Sequence, residues 1–132
     1  MKNPFVVGDQ KRFTRVVRPE DSARFDAGEV HPLYGTFALA RDAEWTCRLF
    51  VLEMLETGEE GIGTFVSVEH LSPAPVGSTV EFVATLESVS GNEIVCSYTA
   101  TVNGRLVARG RQIQKILNLE RFRKSLQKLK SD

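Results

Sequence analysis

Thr36, Glu44, Gly63 and His70 are residue types that can carry out acid–base chemistry or approach a reacting carbonyl closely. Glu44 sits in a run where Ala40, Ala43, Cys47, Phe50, Val51 and Met54 recur at spacings of three and four. That spacing predicts a helix with one apolar stripe. Glu44 interrupts the stripe instead of facing water with Asp42, Arg48 or Glu53. A carboxylate there is costly unless it is hydrogen-bonded or functional; the plainer alternative is a stripe-edge glutamate that reaches solvent. His70 ends an alternating run with Val66 and Val68, so it points to their side. An imidazole there is either a satisfied rim residue or a proton shuttle near neutral pH. Thr36 opens the helical run, where threonine commonly caps, and its hydroxyl can also serve a neighbouring base. Gly63 either lets a strand begin or lets a backbone N–H approach a substrate carbonyl.

Charge is unevenly distributed. Asp42 to Glu69 holds seven acids and one base, a net of −6, and is unsuited to phosphates. Arg105, Arg109, Arg111 and Lys115 all occupy odd positions, with no acid between 105 and 115. If the strand register is unbroken they share one face. Guanidinium groups there suit phosphates, and a solvated edge face is the equal alternative. Arg121, Arg123, Lys124, Lys128 and Lys130 near the C-terminus read as a solvated outer face.

The elements that must position these residues follow from period and punctuation. Gln10 to Val17 reads as a first strand, and RPEDSARFDAGEVHPLYG as a loop. The helix runs from about Thr36 to Glu56, with Gly58 beyond it as a stop. The period then changes to two. Residues 62–70 form a strand. Val80, Phe82, Ala84 and Leu86 share a face, as do Ile94, Cys96, Tyr98, Ala100 and Val102. Ser90-Gly91-Asn92 and Asn103-Gly104 are hairpin turns. Arg105 to Leu117 is the last strand, with a bulge expected at Gly110. Leu117, Leu119, Phe122, Leu126 and Leu129 suggest a short final helix.

One strand, one long helix, a four-strand meander and a short helix give an α+β class. The helix must bury its stripe against a mainly antiparallel sheet. This is the order of a hot-dog fold, an antiparallel sheet wrapped round one long central helix. Such a sheet leaves open edges, and a homodimer or higher homo-oligomer completes it naturally.

The 132 residues, 42% of them apolar and with a net charge of zero, fit one domain over residues 1–132. No apolar run reaches the ~20 residues of a membrane span. MKNPFVVGDQKR lacks the pattern of a secretory signal, so a cytoplasmic protein is expected, with neither nucleic acid nor membrane as partner. Cys47 and Cys96, amid apolar neighbours, read as buried structural thiols. With His31 and His70 as the only histidines, no protein-built metal site is expected.

The run VHPLYGTF, a helix with an internal glutamate, and GIGTFVSVEHLSPAPVGSTV resemble the fluoroacetyl-CoA thioesterase family of hot-dog proteins. HLSPAPVG, with Pro75 and Gly77 after His70, is the most specific piece, and the resemblance is good over about Val30 to Val83. It implies an acyl-CoA thioester hydrolase with Thr36, Glu44 and His70 as catalytic residues and Gly63 at the substrate carbonyl. No cofactor is implied, since coenzyme A is part of the substrate. The family's lid phenylalanines have no counterpart in DAGEVHPLYG, where Ala27, Val30 and Tyr34 are expected at the pocket entrance. The family's arginine near the end of the last strand can correspond to Arg109, Arg111 or Gln114. Thr36 and Glu44 are eight residues apart, about 12 Å along a straight helix. Either Thr36 folds back ahead of the first turn, or two chains complete the site.

Two other readings compete with this one. A non-catalytic acyl-CoA binding or sensing module would keep the arginine strip without turnover, but pure binding needs no buried carboxylate. A hot-dog hydratase would carry D-x-N-P-x-H; in EVHPLY only Pro32 matches.

Overall fold

The computed structural model describes residues 1–131. Strand β1 (Gln10–Val16) leads through a 3₁₀ turn (Pro19–Asp21) into β2 (Ser22–Phe25) and β3 (Gly28–Tyr34). Helix α1 (Thr36–Leu52) follows, then β4 (Glu59–Val66), β5 (Glu69–His70), β6 (Thr79–Ser90), β7 (Glu93–Val102), β8 (Arg105–Asn118) and α2 (Leu119–Ser131). The main sheet is antiparallel in the order β1-β6-β7-β8-β4, with β5 also on β8, and β2 and β3 form a separate hairpin. This is the hot-dog arrangement. The segment expected as a loop is thus partly a hairpin; its irregular register, with shifts around Ala23, hides a period of two.

The helix buries Leu39, Ala43, Cys47, Phe50 and Val51 against Val80, Phe82, Ala84 and Leu86 of β6 and Ile94, Cys96, Tyr98 and Ala100 of β7. Each fully buried large side chain contributes about 1.5–3 kcal/mol. Cys47 and Cys96 are both buried and unpaired, as the composition suggested. The helix ends before the expected Glu56. Its last turn tightens, with Glu53 and Met54 N–H donating to the Phe50 and Val51 carbonyls at 3.1 and 2.9 Å. The chain then turns through Gly58, whose φ of 83° favours glycine.

The expected bulge at Gly110 is elsewhere. Gly110 pairs regularly with Tyr98, whereas Thr101 pairs with Leu106 and Ala100 with Ala108, leaving Val107 as the extra residue. The shift moves Arg105 off the face shared by Arg109, Arg111 and Lys115; it donates instead to Ser72 Oγ at 2.6 Å and Pro73 O at 2.8 Å. Gly110 has another role. A Cβ there would lie 2.0 Å from the Ser67 carbonyl oxygen, so only glycine admits the chain between β4 and β5. Tyr98 hydroxyl donates to that same oxygen at 2.7 Å.

Candidate active site

Thr36 is the first residue of α1, and Gly35 occupies the cap position without a side-chain cap. The Thr36 hydroxyl does not serve the helix terminus. Its Oγ1 lies 2.9 Å from His70 Nδ1. β5 delivers His70 by pairing it with Ala108 of β8, on the side of the sheet that faces the helix. Burial holds the imidazole below its ordinary pKa, favouring the neutral ring. Its Nε2 is buried without a hydrogen-bond partner among the described residues. Thr36 and His70 line a cleft of about 320 Å³ together with Ala23, His31, Leu33 and Ser72.

Glu44 lies two turns further along α1. Its Oε1 accepts from Gln112 Nε2 at 3.1 Å. A Cβ on Gly63 would lie 2.2 Å from that same oxygen. The β4 backbone therefore touches the carboxylate, and glycine is what permits it. Register shifts at Thr64, immediately beside Gly63; bulges of this kind commonly re-aim a strand next to a functional site. Thr36–His70 and Glu44–Gly63–Gln112 thus form two clusters, about 12 Å apart along the helix.

The sequence misjudged which carboxylate is interior. Glu44 is exposed in the single chain, at the edge of the stripe, whereas Asp42 is 1% exposed. Asp42 accepts from Arg15 Nε at 3.1 Å, from Arg41 Nη2 at 3.0 Å and from the Tyr34 hydroxyl. Although burial opposes its ionisation, these three donors hold Asp42 below the ordinary carboxylate range. Arg41 also reaches Asp21 at 2.9 Å, which Arg18 grips with both Nε and Nη2. The Arg18 bonds push Asp21 well below the usual range. This network ties the hairpin to α1 and β1.

Tyr34, expected at the pocket entrance, does line the cleft beside Thr36, but it is 2% exposed with its hydroxyl committed to Asp42. The side chain is an internal anchor for the hairpin, and burial pushes its phenol far above the usual pKa. Val30 and Ala27 are exposed on the hairpin, and the cleft walls come from Ala23, His31 and Leu33 instead. Arg109 and Arg111 lie on the other face of the sheet, beside a hollow of about 520 Å³ that also includes Ser67, Ser97 and Thr99. Arg109 Nε donates to Glu69 Oε1 at 2.7 Å. Gln114, weighed with them as the family arginine's counterpart, points to the helix side and is 2% exposed.

Of the two glutamines beside Glu44, Gln112 is absent from the sequence reading, and Gln114 enters it only as a counterpart of the family's arginine. A signal existed: both are amides on the same strand face as buried Ala108 and Ile116. A polar side chain on a core-facing register needs a partner.

Known proteins resemble the chain over most of its length. The model of the fluoroacetyl-CoA-specific thioesterase family matches residues 17–120. A fluoroacetyl-CoA thioesterase from Streptantibioticus cattleyicolor is 27% identical over 128 residues, covering 92% of each chain. A thioesterase superfamily member from Thermus thermophilus superposes with a TM-score of 0.91 at 36% identity, covering 97% of this chain and 95% of that one. A variant of the fluoroacetyl-CoA-specific thioesterase solved with fluoroacetate and CoA gives 0.83 at 27% identity, over 89% and 99% of the two chains. With a matching family model over most of its length and the same helix-in-sheet architecture, this chain belongs to the fluoroacetyl-CoA-specific thioesterase family and is a hot-dog acyl-CoA thioester hydrolase.

Proposed function

We propose that the protein hydrolyses a small acyl-CoA, with Glu44, His70 and Thr36 as its catalytic residues and Gly63 at the substrate carbonyl. The observation that carries this reading is the pairing of Thr36 with neutral His70 at 2.9 Å beside a cleft, with Glu44 against a bare glycine backbone. Glu44 supplies the anionic oxygen, attacking the thioester carbon itself or taking a proton from the attacking water. In the water route the C–O bond forms as the water proton passes to Glu44. The C–S bond then breaks, and the leaving CoA thiolate takes up the proton that Glu44 accepted from the water. His70 manages that proton, and Thr36 fixes its ring. The Gly63 N–H faces the developing oxyanion.

The working unit in this reading is a homodimer. The two clusters are too far apart in one chain to act on one carbonyl. The outer side of α1 and edge strand β4 carry Phe37, Trp45, Ile62, Phe65 and Val66, all exposed, Phe37 at 90%. An unpaired edge with apolar neighbours favours association. A two-fold axis there sets Thr36–His70 of one protomer near Glu44–Gly63 of its partner. Arg109 and Arg111 hold the CoA phosphates, with Glu69 as the anion that phosphate displaces. The hairpin offers Ala27 and Val30 where the family's lid carries phenylalanine, so the acyl panel includes groups without fluorine beside fluoroacetyl. The two unpaired thiols suit a reducing, cytoplasmic setting, and among the described residues no helix is long and apolar enough to cross a membrane.

The experiment is thiol release from a panel of short acyl-CoAs by wild type, Glu44→Gln and His70→Asn. Turnover of at least one member, abolished in both variants, is the expected result; full activity in Glu44→Gln refutes the assignment. Mixing the two inactive variants tests the shared site. Random pairing makes about half the dimers mixed, each with one intact site, so about a quarter of wild-type activity returns. If each chain holds a whole site, nothing returns.

A further inference from the structure

The two buried glutamines beside Glu44 have only one permitted amide orientation each. Gln114 Nε2 lies 3.3 Å from the backbone carbonyl oxygen of Glu44, which can only accept. Gln112 Nε2 lies 3.1 Å from the Ile113 carbonyl oxygen, which also can only accept. Two carbonyls on different elements therefore fix which end of each amide is nitrogen. The remaining bonds agree: Gln114 Nε2 donates to Gln112 Oε1 at 2.9 Å, and Gln112 Nε2 donates to Glu44 Oε1 at 3.1 Å. Turning either amide round would set oxygen against oxygen.

The bonds form a closed ring that leaves Glu44 at its backbone and returns to it at its carboxylate. Gln112 can thus present only a donor to Glu44, and it presents it to one oxygen. Gly63 backs the same oxygen: a Cβ there would lie 2.2 Å from Oε1 but 3.3 Å from Oε2. Among the described residues no hydrogen bond engages Oε2.

We infer that Gln112 and Gln114 are positioning residues. Gln112 holds Glu44 by Oε1 so that Oε2 is the oxygen that acts, and Gln114, tied to the Glu44 carbonyl, braces the Gln112 amide at its oxygen end. The inference rests on the proposed catalytic role of Glu44. A positioned carboxylate loses rate steeply when it swings, since a misplacement of about 1 Å costs on the order of a hundredfold.

The test uses Gln112→Met and Gln114→Met, which keep an unbranched chain of similar length, their double variant, and Glu44→Gln. Each is assayed by thiol release on an acyl-CoA that wild type turns over, with melting temperatures measured alongside. Gln112→Met is expected to lower kcat about tenfold or more, with KM within about threefold. Gln114→Met lowers kcat in the same sense. The double variant is expected to be no slower than Gln112→Met, because Gln114 acts through Gln112. A merely structural pair would lower the melting temperature and leave kcat per folded enzyme unchanged. If Gln112→Met does not fold, Gln112→Glu keeps the shape and the acceptor toward Gln114 while setting an oxygen against Glu44, and the same kcat loss is expected. Wild-type kcat in the position-112 variant, with Glu44→Gln inactive, overturns the positioning role alone. Losses that multiply in the double variant overturn the coupling. Full activity in Glu44→Gln overturns both this inference and the catalytic reading beneath it.

Discussion

Gly63→Ala separates catalysis from stability at one atom. The added methyl would sit 2.2 Å from Glu44 Oε1 and 2.9 Å from its Cδ. Carbon and oxygen rest about 3.3 Å apart or more, so the carboxylate must retreat by roughly 1 Å. Glu44 is exposed in the chain and can do so without disturbing the core. Gly63 does not have a positive φ, so alanine strains no backbone. Replacing glycine within a strand also recovers about 0.5–1 kcal/mol of conformational entropy. The expected variant therefore melts at or slightly above the wild-type temperature yet loses about a hundredfold in kcat. That loss corresponds to about 2.7 kcal/mol of transition-state stabilisation. Gly61→Ala is the control two residues away. Its methyl would meet Val51 Cγ1 at 2.6 Å, and Val51 is wholly buried. Overpacking there costs about 1–3 kcal/mol of stability and leaves kcat of the folded enzyme near wild type. Thiol-release kinetics on a responsive acyl-CoA, with calorimetry on all three proteins, reads both quantities. A Gly63→Ala enzyme with kcat within threefold of wild type would refute the idea that the glycine exists to admit the carboxylate.

Burial lowers the His70 pKa below 6.5, so the neutral ring persists to more acid pH than in a free histidine. kcat/KM should fall with a limb below 6.5, and a limb above that value contradicts the burial. The unfolded chain takes up this proton first, so stability declines as pH drops from about 6.5 toward the folded pKa, and His70→Gln removes that slope. Thr36→Val deletes the hydroxyl 2.9 Å from Nδ1 while keeping its shape; kcat should fall about tenfold with the melting temperature nearly unchanged, and unaltered kinetics would leave Thr36 without a role. Asp42→Ala strands Arg15, Arg41 and the Tyr34 hydroxyl. Losing one partner of a buried ionic cluster costs about 3–5 kcal/mol, a fall in melting temperature of about 10 °C or more; a shift under 3 °C would show the network to be energetically idle.

The alternation of β6 and β7 was legible because buried and exposed side chains differ in polarity residue by residue. Val80, Phe82, Ala84 and Leu86 are all fully or almost fully buried. The stripe of α1 was legible for the same reason, although its outline did not say whether Asp42 or Glu44 lay inside. A helix position 100° from the stripe's centre becomes core or surface according to what packs beside it, here the Arg15 and Arg41 guanidiniums and the Tyr34 phenol.

What the sequence by itself determined was the succession of elements, the helix-in-sheet class, and four residues with usable chemistry: Thr36, Glu44, Gly63 and His70. These follow from local period and from side-chain type. Tertiary structure decided their company. It paired Thr36 with His70 across 34 residues and set Gln112 against Glu44 across 68. It also turned Arg105 away from Arg109 by one extra residue at Val107. Side chains alternate sides along a strand, so a single bulge reverses every face beyond it. Partners distant in sequence meet only once that register is fixed.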